Sequence, residues 1–228
     1  MWFIDVAAIA DDEWPKLAAL LDDAEAARAQ RFAFDDDRRA YVAAHALLRA
    51  QLSQRSNDIS PRDWRFAATP HGKPILCAPG YDLNVSLTHT RGMAAVAIAS
   101  GGEIGVDVES ALTPRNAVGV AERYFAPEEA AFLRAQADPS ARNELFYAIW
   151  TLKEAVLKAD GRGLARGLDS FVVTLSPLAV SSVAGDSYDV AQWRRGGFFI
   201  AAAARGDRVD FRLEEAHAAA LIDVGRMV

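Results

Sequence analysis

The run Ile104-Gly105-Val106-Asp107-Val108-Glu109 constrains this chain more than any other, because its strict alternation is that of a β-strand with one face in a core. Gly105, Asp107 and Glu109 share one face, while Ile104, Val106 and Val108 take the other. Carboxylates two residues apart on a strand stand roughly 6 to 7 Å apart at Cα, close enough to grip one hard cation, and Gly105 leaves room beside them. Oxygen-only, thiol-free ligation suits Mg²⁺ better than zinc, and ligand type alone does not separate Mg²⁺ from Mn²⁺.

A second run, Trp150-Thr151-Leu152-Lys153-Glu154-Ala155-Val156-Leu157-Lys158, has helical spacing. At about 100° per residue Trp150, Lys153, Glu154, Leu157 and Lys158 fall on one side and Leu152, Ala155, Val156 and Ala159 on the other, an apolar arc that extends back through Leu145, Ala148 and Ile149. The helix is expected to dock by that arc and offer a carboxylate between two ammonium groups, with Gly161 and Gly163 supplying a stop and an exit. Taken singly, the parts are ordinary: Glu154 and Lys158 make a favoured solvent-facing i,i+4 pair, and Asp107 with Glu109 make the wet face of an edge strand. Their joint occurrence, with Trp150 on the otherwise polar helix face, points to a site.

Composition sets the outer bounds. At 228 residues and 51% hydrophobic the chain has material for a large core, in one domain or two small lobes. A net charge of −6, with no run of five basic residues, argues against general nucleic-acid affinity. Cys77 is the sole cysteine, which excludes an internal disulfide and any cysteine-rich metal centre. The N-terminus shows neither a basic lead nor an apolar run of signal length, and no stretch reaches a membrane span, so a cytoplasmic protein is expected. Lys16, Lys73, Lys153 and Lys158 are the only lysines in an arginine-biased chain, and all but Lys16 fall in the suspected site. A lysine that persists under such bias suits a task needing a compact point charge.

Along the chain, Asp11 or Asp12 is expected to cap a first helix through Leu17, Leu20 and Leu21, and an Ala- and Arg-rich helix runs toward Phe32. Asp35 to Asp37 open a longer helix carrying Tyr41, His45 and Arg49, which breaks at Ser56-Asn57. Strands are expected near Trp64 to Phe66, Leu83 to Leu87 and Met93 to Ala99, the last joined to the 104–108 strand as a hairpin through Ser100-Gly101-Gly102. Residues 114–159 read as helical, broken at Pro127 and at Asp138-Pro139. Further strands follow at 171–175, 188–192, 198–204 and 209–213. Each half offers helices beside a small, mostly antiparallel sheet, an α+β pattern, divided into lobes 1–102 and 103–228.

These runs resemble the two-part signature of the Sfp-like 4′-phosphopantetheinyl transferases, a Gly-Val-Asp-x-Glu strand followed by a Trp-(Ser/Thr)-x-Lys-Glu-Ala-x-x-Lys helix, and both parts are complete here. The likeness continues in His71-Gly72-Lys73-Pro74, in Leu87-Thr88-His89-Thr90, in Arg31-Phe32 with Arg38-Arg39, and in the loop Arg123 to Glu129, so it spans about residues 28 to 176. Where the family has Asn and Ser before its histidine, Ser86 and Thr88 stand here.

The resemblance implies two similar lobes in a pseudo-twofold arrangement and a monomer. It also implies transfer of the phosphopantetheine arm of coenzyme A to a serine of an apo acyl or peptidyl carrier protein, with release of 3′,5′-ADP. Asp107, Glu109 and Glu154 would hold Mg²⁺, with Mn²⁺ possible. Glu154 would take the serine proton directly or through water, and Lys158 with Lys153 would meet phosphoryl charge. Lys73, Thr88, His89 and an early arginine, Arg31 or Arg39 foremost, with Arg38 and Arg49 also open, would hold the nucleotide end. Arg162 and Arg166 read as surface charge. Two other classes share parts of this pattern. A divalent-metal phosphodiesterase would use the same carboxylates but needs a further carboxylate and histidine cluster. A catalytically silent coenzyme A or carrier-binding module would have lost them.

Overall fold

The computed structural model describes residues 1–56, 58–182, 185–206 and 208–227, so Asn57 of the expected helix break lies outside the described residues. In chain order the elements begin with β1 (Trp2–Asp5), α1 (Trp14–Ala18), α2 (Asp23–Ala29), α3 (Asp35–Ser56), β2 (Phe66–Ala68), β3 (Pro74–Leu76), β4 (Leu83–Thr90) and β5 (Met93–Ser100). They continue with β6 (Ile104–Ser110), α4 (Ala117–Tyr124), α5 (Pro127–Ala135), α6 (Pro139–Asp160), β7 (Phe171–Leu175), β8 (Leu178–Ser182), β9 (Tyr188–Arg195), β10 (Phe198–Arg205), β11 (Glu214–Glu215) and α7 (Ala218–Met227). The α+β class holds, and among the described residues no helix is long and apolar enough to cross a membrane.

The chain forms two compact units, one of Met1–Ala68, Pro74–Gly101 and Arg212–Val228, the other of Thr69–Lys73 and Gly102–Phe211. In the first, α3 lies on a four-stranded sheet ordered β11-β1-β5-β4. Its core combines Leu47, Leu48 and Leu52 of α3 with Ile4, Val85, Val96 and Trp64. A single cut after residue 102 leaves out the tail: β11 runs parallel to β1, Trp2 opposite Glu214, and Leu221 of α7 is sealed into the same core. That pairing joins residues at opposite ends of the sequence, which local pattern does not register.

In the second unit, α6 crosses a sheet ordered β6-β10-β9, with Ala201 opposite Asp107 and Ala203 opposite Gly105. Small residues on the sheet let the helix approach closely. A Cβ on Gly105 would come within 2.0 Å of the Ala155 carbonyl oxygen and 2.4 Å of the Ala159 nitrogen. The glycine therefore makes room for a helix backbone, where the sequence pattern suggested room beside the carboxylates. Pro127 and Pro139 open α5 and α6 as expected, and Gly161 ends α6 with φ of 80°.

Three expectations fail. Neither Asp11 nor Asp12 caps the first helix, since α1 starts at Trp14 after Glu13 and ends at Ala18, short of Leu20 and Leu21. The Gly101-Gly102 link does not close a hairpin: β5 pairs with β1 and β4, β6 pairs with β10, and the link is where the chain leaves the first unit. The alternating 209–213 stretch is not a strand, since the Val209 N–H donates to Asp189 Oδ2 at 2.6 Å and the adjacent residues are irregular.

Candidate active site

The carboxylates of β6 face α6. Asp107 is buried at 5% exposure, and Glu109 is half-buried one pleat further along the same face. Across from them the helix presents Glu154 and, one turn later, Lys158, whose Nζ donates to Asp107 Oδ1 at 2.7 Å. Burial and then the Asp107 charge push Glu154 up to about 7, and Lys158 only partly opposes them. Glu109 is raised by burial and by Asp107, and Arg115 with a hydrogen bond from Trp150 draws it back. Three acids thus crowd around Lys158, with Arg115 beside Glu109, in a poorly solvated corner, and the excess of acid costs stability in the free protein.

Among the described residues no three His, Cys, Asp or Glu side chains are already drawn into a metal cage. The donor set nevertheless fits a hard divalent cation. It is all oxygen, it carries excess negative charge, and Lys158 already marks Asp107 as the point where positive charge settles. Asp107, Glu109 and Glu154 are the residues that would hold it.

Lys153 does not join this cluster. It is fully buried on another side of α6, donating to the Leu168 and Phe171 carbonyls at 2.7 and 2.8 Å and pairing with Glu129 at 2.8 Å. Its ammonium is spent on these partners, where the family resemblance led one to expect it at phosphoryl charge. Sequence reading put it on the polar face because its acceptors come from residues 15 and 18 positions later and from α5. Lys73 is likewise committed. Its Nζ caps the end of α6 through the Ala159 carbonyl at 3.0 Å and pairs with Glu103, which leaves its side chain 11% exposed.

The remaining candidates lie in the first unit, considered by itself. Thr88 and His89 sit on β4, Thr88 buried opposite Ala95 and His89 with its ring edge-on to Tyr41 at 5.9 Å. Arg31 is exposed beyond the end of α2. Arg39 points to a different face of α3 from Tyr41, over the Trp14 ring at 5.2 Å, held by Asp35 at 2.7 Å and Asp11 at 3.2 Å. Arg38 pairs with Asp35 as well.

Arg49 is wholly interior. It bonds Asp22 and Glu25 at 2.6 Å each and the carbonyls of Pro61, Arg62 and Trp64, so it has nothing left to offer a phosphate. His45 Nδ1 lies 2.8 Å from the same Glu25. Arg166, read as surface charge, is 3% exposed and bonded to Asp160, Asp186, Ser182 and the Tyr188 hydroxyl. Sequence reading did not anticipate Arg115 beside Glu109, Tyr41 behind His89, or Glu129 as the partner of Lys153. Only Glu129 carried a local signal, three residues after the helix-start position Ala126, whose N–H it accepts at 3.0 Å.

Known proteins of one family match this chain along most of its length. Residues 103–207 match the model of the 4′-phosphopantetheinyl transferase superfamily, and residues 9–100 match that of the 4′-phosphopantetheinyl transferase N-terminal region. A putative 4′-phosphopantetheinyl transferase of Synechocystis sp. is 33% identical over 185 residues, covering 79% of this chain and 72% of the relative. The 4′-phosphopantetheinyl transferase HetI of Nostoc sp. is 34% identical over 163 residues, covering 71% and 68%. Sfp of Bacillus subtilis is 30% identical over 149 residues, covering 65% and 63%. With both stretches of its sequence matched and the Synechocystis relative aligned over most of each chain, this protein belongs to the 4′-phosphopantetheinyl transferase superfamily.

Proposed function

We propose that the Asp107–Glu109–Glu154–Lys158 cluster is where this enzyme moves the phosphopantetheine arm of coenzyme A onto a serine of an apo acyl or peptidyl carrier protein. The observation that carries the reading is the excess of acid: three carboxylates of β6 and α6 face Lys158 and Arg115, and burial with the Asp107 charge pushes Glu154 up to about 7. A divalent cation, Mg²⁺ foremost, would supply Lewis acidity and counter-charge for the pyrophosphate when bound by Asp107, Glu109 and Glu154.

The chain's own residues supply the rest. The serine oxygen attacks the β-phosphorus, the bond from that phosphorus to the bridging oxygen breaks, and 3′,5′-ADP leaves with the electron pair. Glu154, on the helix face opposite Asp107 and Glu109, receives the serine proton directly or through one water. Lys158, 31% exposed at its side chain and already turned to the acidic corner, meets charge that develops on the phosphoryl oxygens. Thr88, His89 and Arg31 remain the residues assigned to the nucleotide end by their motifs.

The test is intact-mass analysis of an apo carrier protein incubated with coenzyme A, Mg²⁺ and the enzyme, beside Asp107→Ala and Glu154→Ala. One added phosphopantetheine with the parent, and a rate lowered by at least about 10²-fold in each variant, is expected. Unchanged rates in both variants would refute the site. Metal-dependent cleavage of a phosphodiester reporter without carrier would favour a phosphodiesterase instead.

A further inference from the structure

The Lys153–Glu129 pair lies outside the reacting cluster yet beside it in sequence, and it is unusually complete. All three N–H bonds of the ammonium are used, on Glu129 Oε2 at 2.8 Å and on the Leu168 and Phe171 carbonyls at 2.7 and 2.8 Å. Glu129 in turn accepts from Ala126 N at 3.0 Å and Val173 N at 2.7 Å. Both side chains are almost fully enclosed, 0% and 2% exposed, and the ammonium lies 4.4 Å from the centroid of the Phe171 ring and 5.3 Å from that of Phe125.

A buried ion pair is seldom a better source of stability than well-packed apolar side chains of the same volume. What it adds is direction, because each N–H must meet its acceptor in one orientation. Here those directions tie α6 to the start of α5 and to the 168–173 segment. On roughly the opposite side of the helix, the Ala155 and Ala159 backbone rests on Gly105 of β6. At about 100° per residue, Glu154 and Lys158 project between these two grips. The helix is thereby held against rolling about its own axis. A roll of about 10° would shift a carboxylate carried some 6 Å from the axis by about 1 Å, a displacement that matters at a reacting centre.

We infer that Lys153 and Glu129 are positioning residues, whose buried network sets the roll of α6 and so the placement of Glu154 and Lys158 against Asp107 and Glu109. The inference rests on the transferase reading of that cluster, and its test separates the two. Full-length parent, Asp107→Ala, the double variant Glu129→Gln with Lys153→Met, and Lys153→Arg are compared by thermal melting and by Mn²⁺ titration followed by electron paramagnetic resonance. The double variant removes both charges together and leaves neither buried alone. Lys153→Arg keeps the charge but replaces three divergent N–H bonds with a planar fork.

The expected result is a double variant that melts within about 5 °C of the parent and binds Mn²⁺ at least tenfold more weakly. Should it fail to fold, Lys153→Arg below its own melting temperature is expected to show the same loss of affinity. A folded variant that binds Mn²⁺ within twofold of the parent, while Asp107→Ala does not, overturns the positioning role and leaves the metal reading standing. Equal Mn²⁺ binding by parent and Asp107→Ala overturns both.

Discussion

Two charge clusters, each built around a 22-residue helix on a β-sheet, are finished to different degrees. On α3 the buried Arg49 meets Asp22 and Glu25, His45 stands on the other Glu25 oxygen, and three carbonyls complete the guanidinium. Although burial works to raise it, Glu25 is drawn down to about 2 by its bonds to His45 and Arg49. On α6 the acids outnumber the cations, and Glu154 is driven the other way, to about 7. A cluster whose hydrogen bonds hold its acid down locks a fold, whereas an acid raised by burial among other acids marks a place that a ligand or a reaction completes. The contrast marks which cluster is scaffold and which is site, a distinction that residue types alone would not make.

The largest test of that contrast removes the cation from the finished cluster. Arg49→Met should lower unfolding free energy by about 3 to 5 kcal/mol, read by urea denaturation, because it strands buried carboxylates. A loss below about 1 kcal/mol would break the comparison.

Acid titration is the next. Glu25 moves from its ordinary 4.5 to about 2 in the folded chain, so its contribution of about 3 kcal/mol is fully present above pH 4.5 and is lost as pH falls toward 2. Stability measured across that range should fall less steeply in Glu25→Gln, which starts from a lower plateau. Parallel pH profiles for the two proteins would contradict the assignment.

The smallest effect has the opposite sign. Glu154→Gln in the presence of a chelator should raise stability by about 1 to 2 kcal/mol at pH 8, since it removes a buried charge and its repulsion from Asp107 and Glu109. A clear loss of stability would mean that Glu154 is a structural residue.

Much of this was legible before any coordinates. Pro127, Pro139 and Gly161 mark helix boundaries through constraints within one or two residues, and the structure follows them. Alternation put Asp107 and Glu109 on one face of a strand because that period is a property of the backbone itself. The Gly101-Gly102 link was misread because a turn signal says that the chain reverses, and it does not say which strand will pair. The 209–213 stretch alternates like a strand, and a side chain from β9 claims its first N–H.

Lys153 and Lys158 state the boundary most sharply. They stand five residues apart on one helix, the same residue type in the same motif. Strand alternation and helical spacing alone put two carboxylates on one strand face and a carboxylate with an ammonium on a helix, while the use of Gly105 to admit the helix backbone came from packing. Three-dimensional packing turns Lys158 to Asp107 and consumes Lys153, Arg49 and Lys73 as internal fasteners. The physical reason is that an ammonium or guanidinium goes where its acceptors are, and those of Lys153, Arg49 and Lys73 are carbonyls and carboxylates brought in from distant parts of the chain.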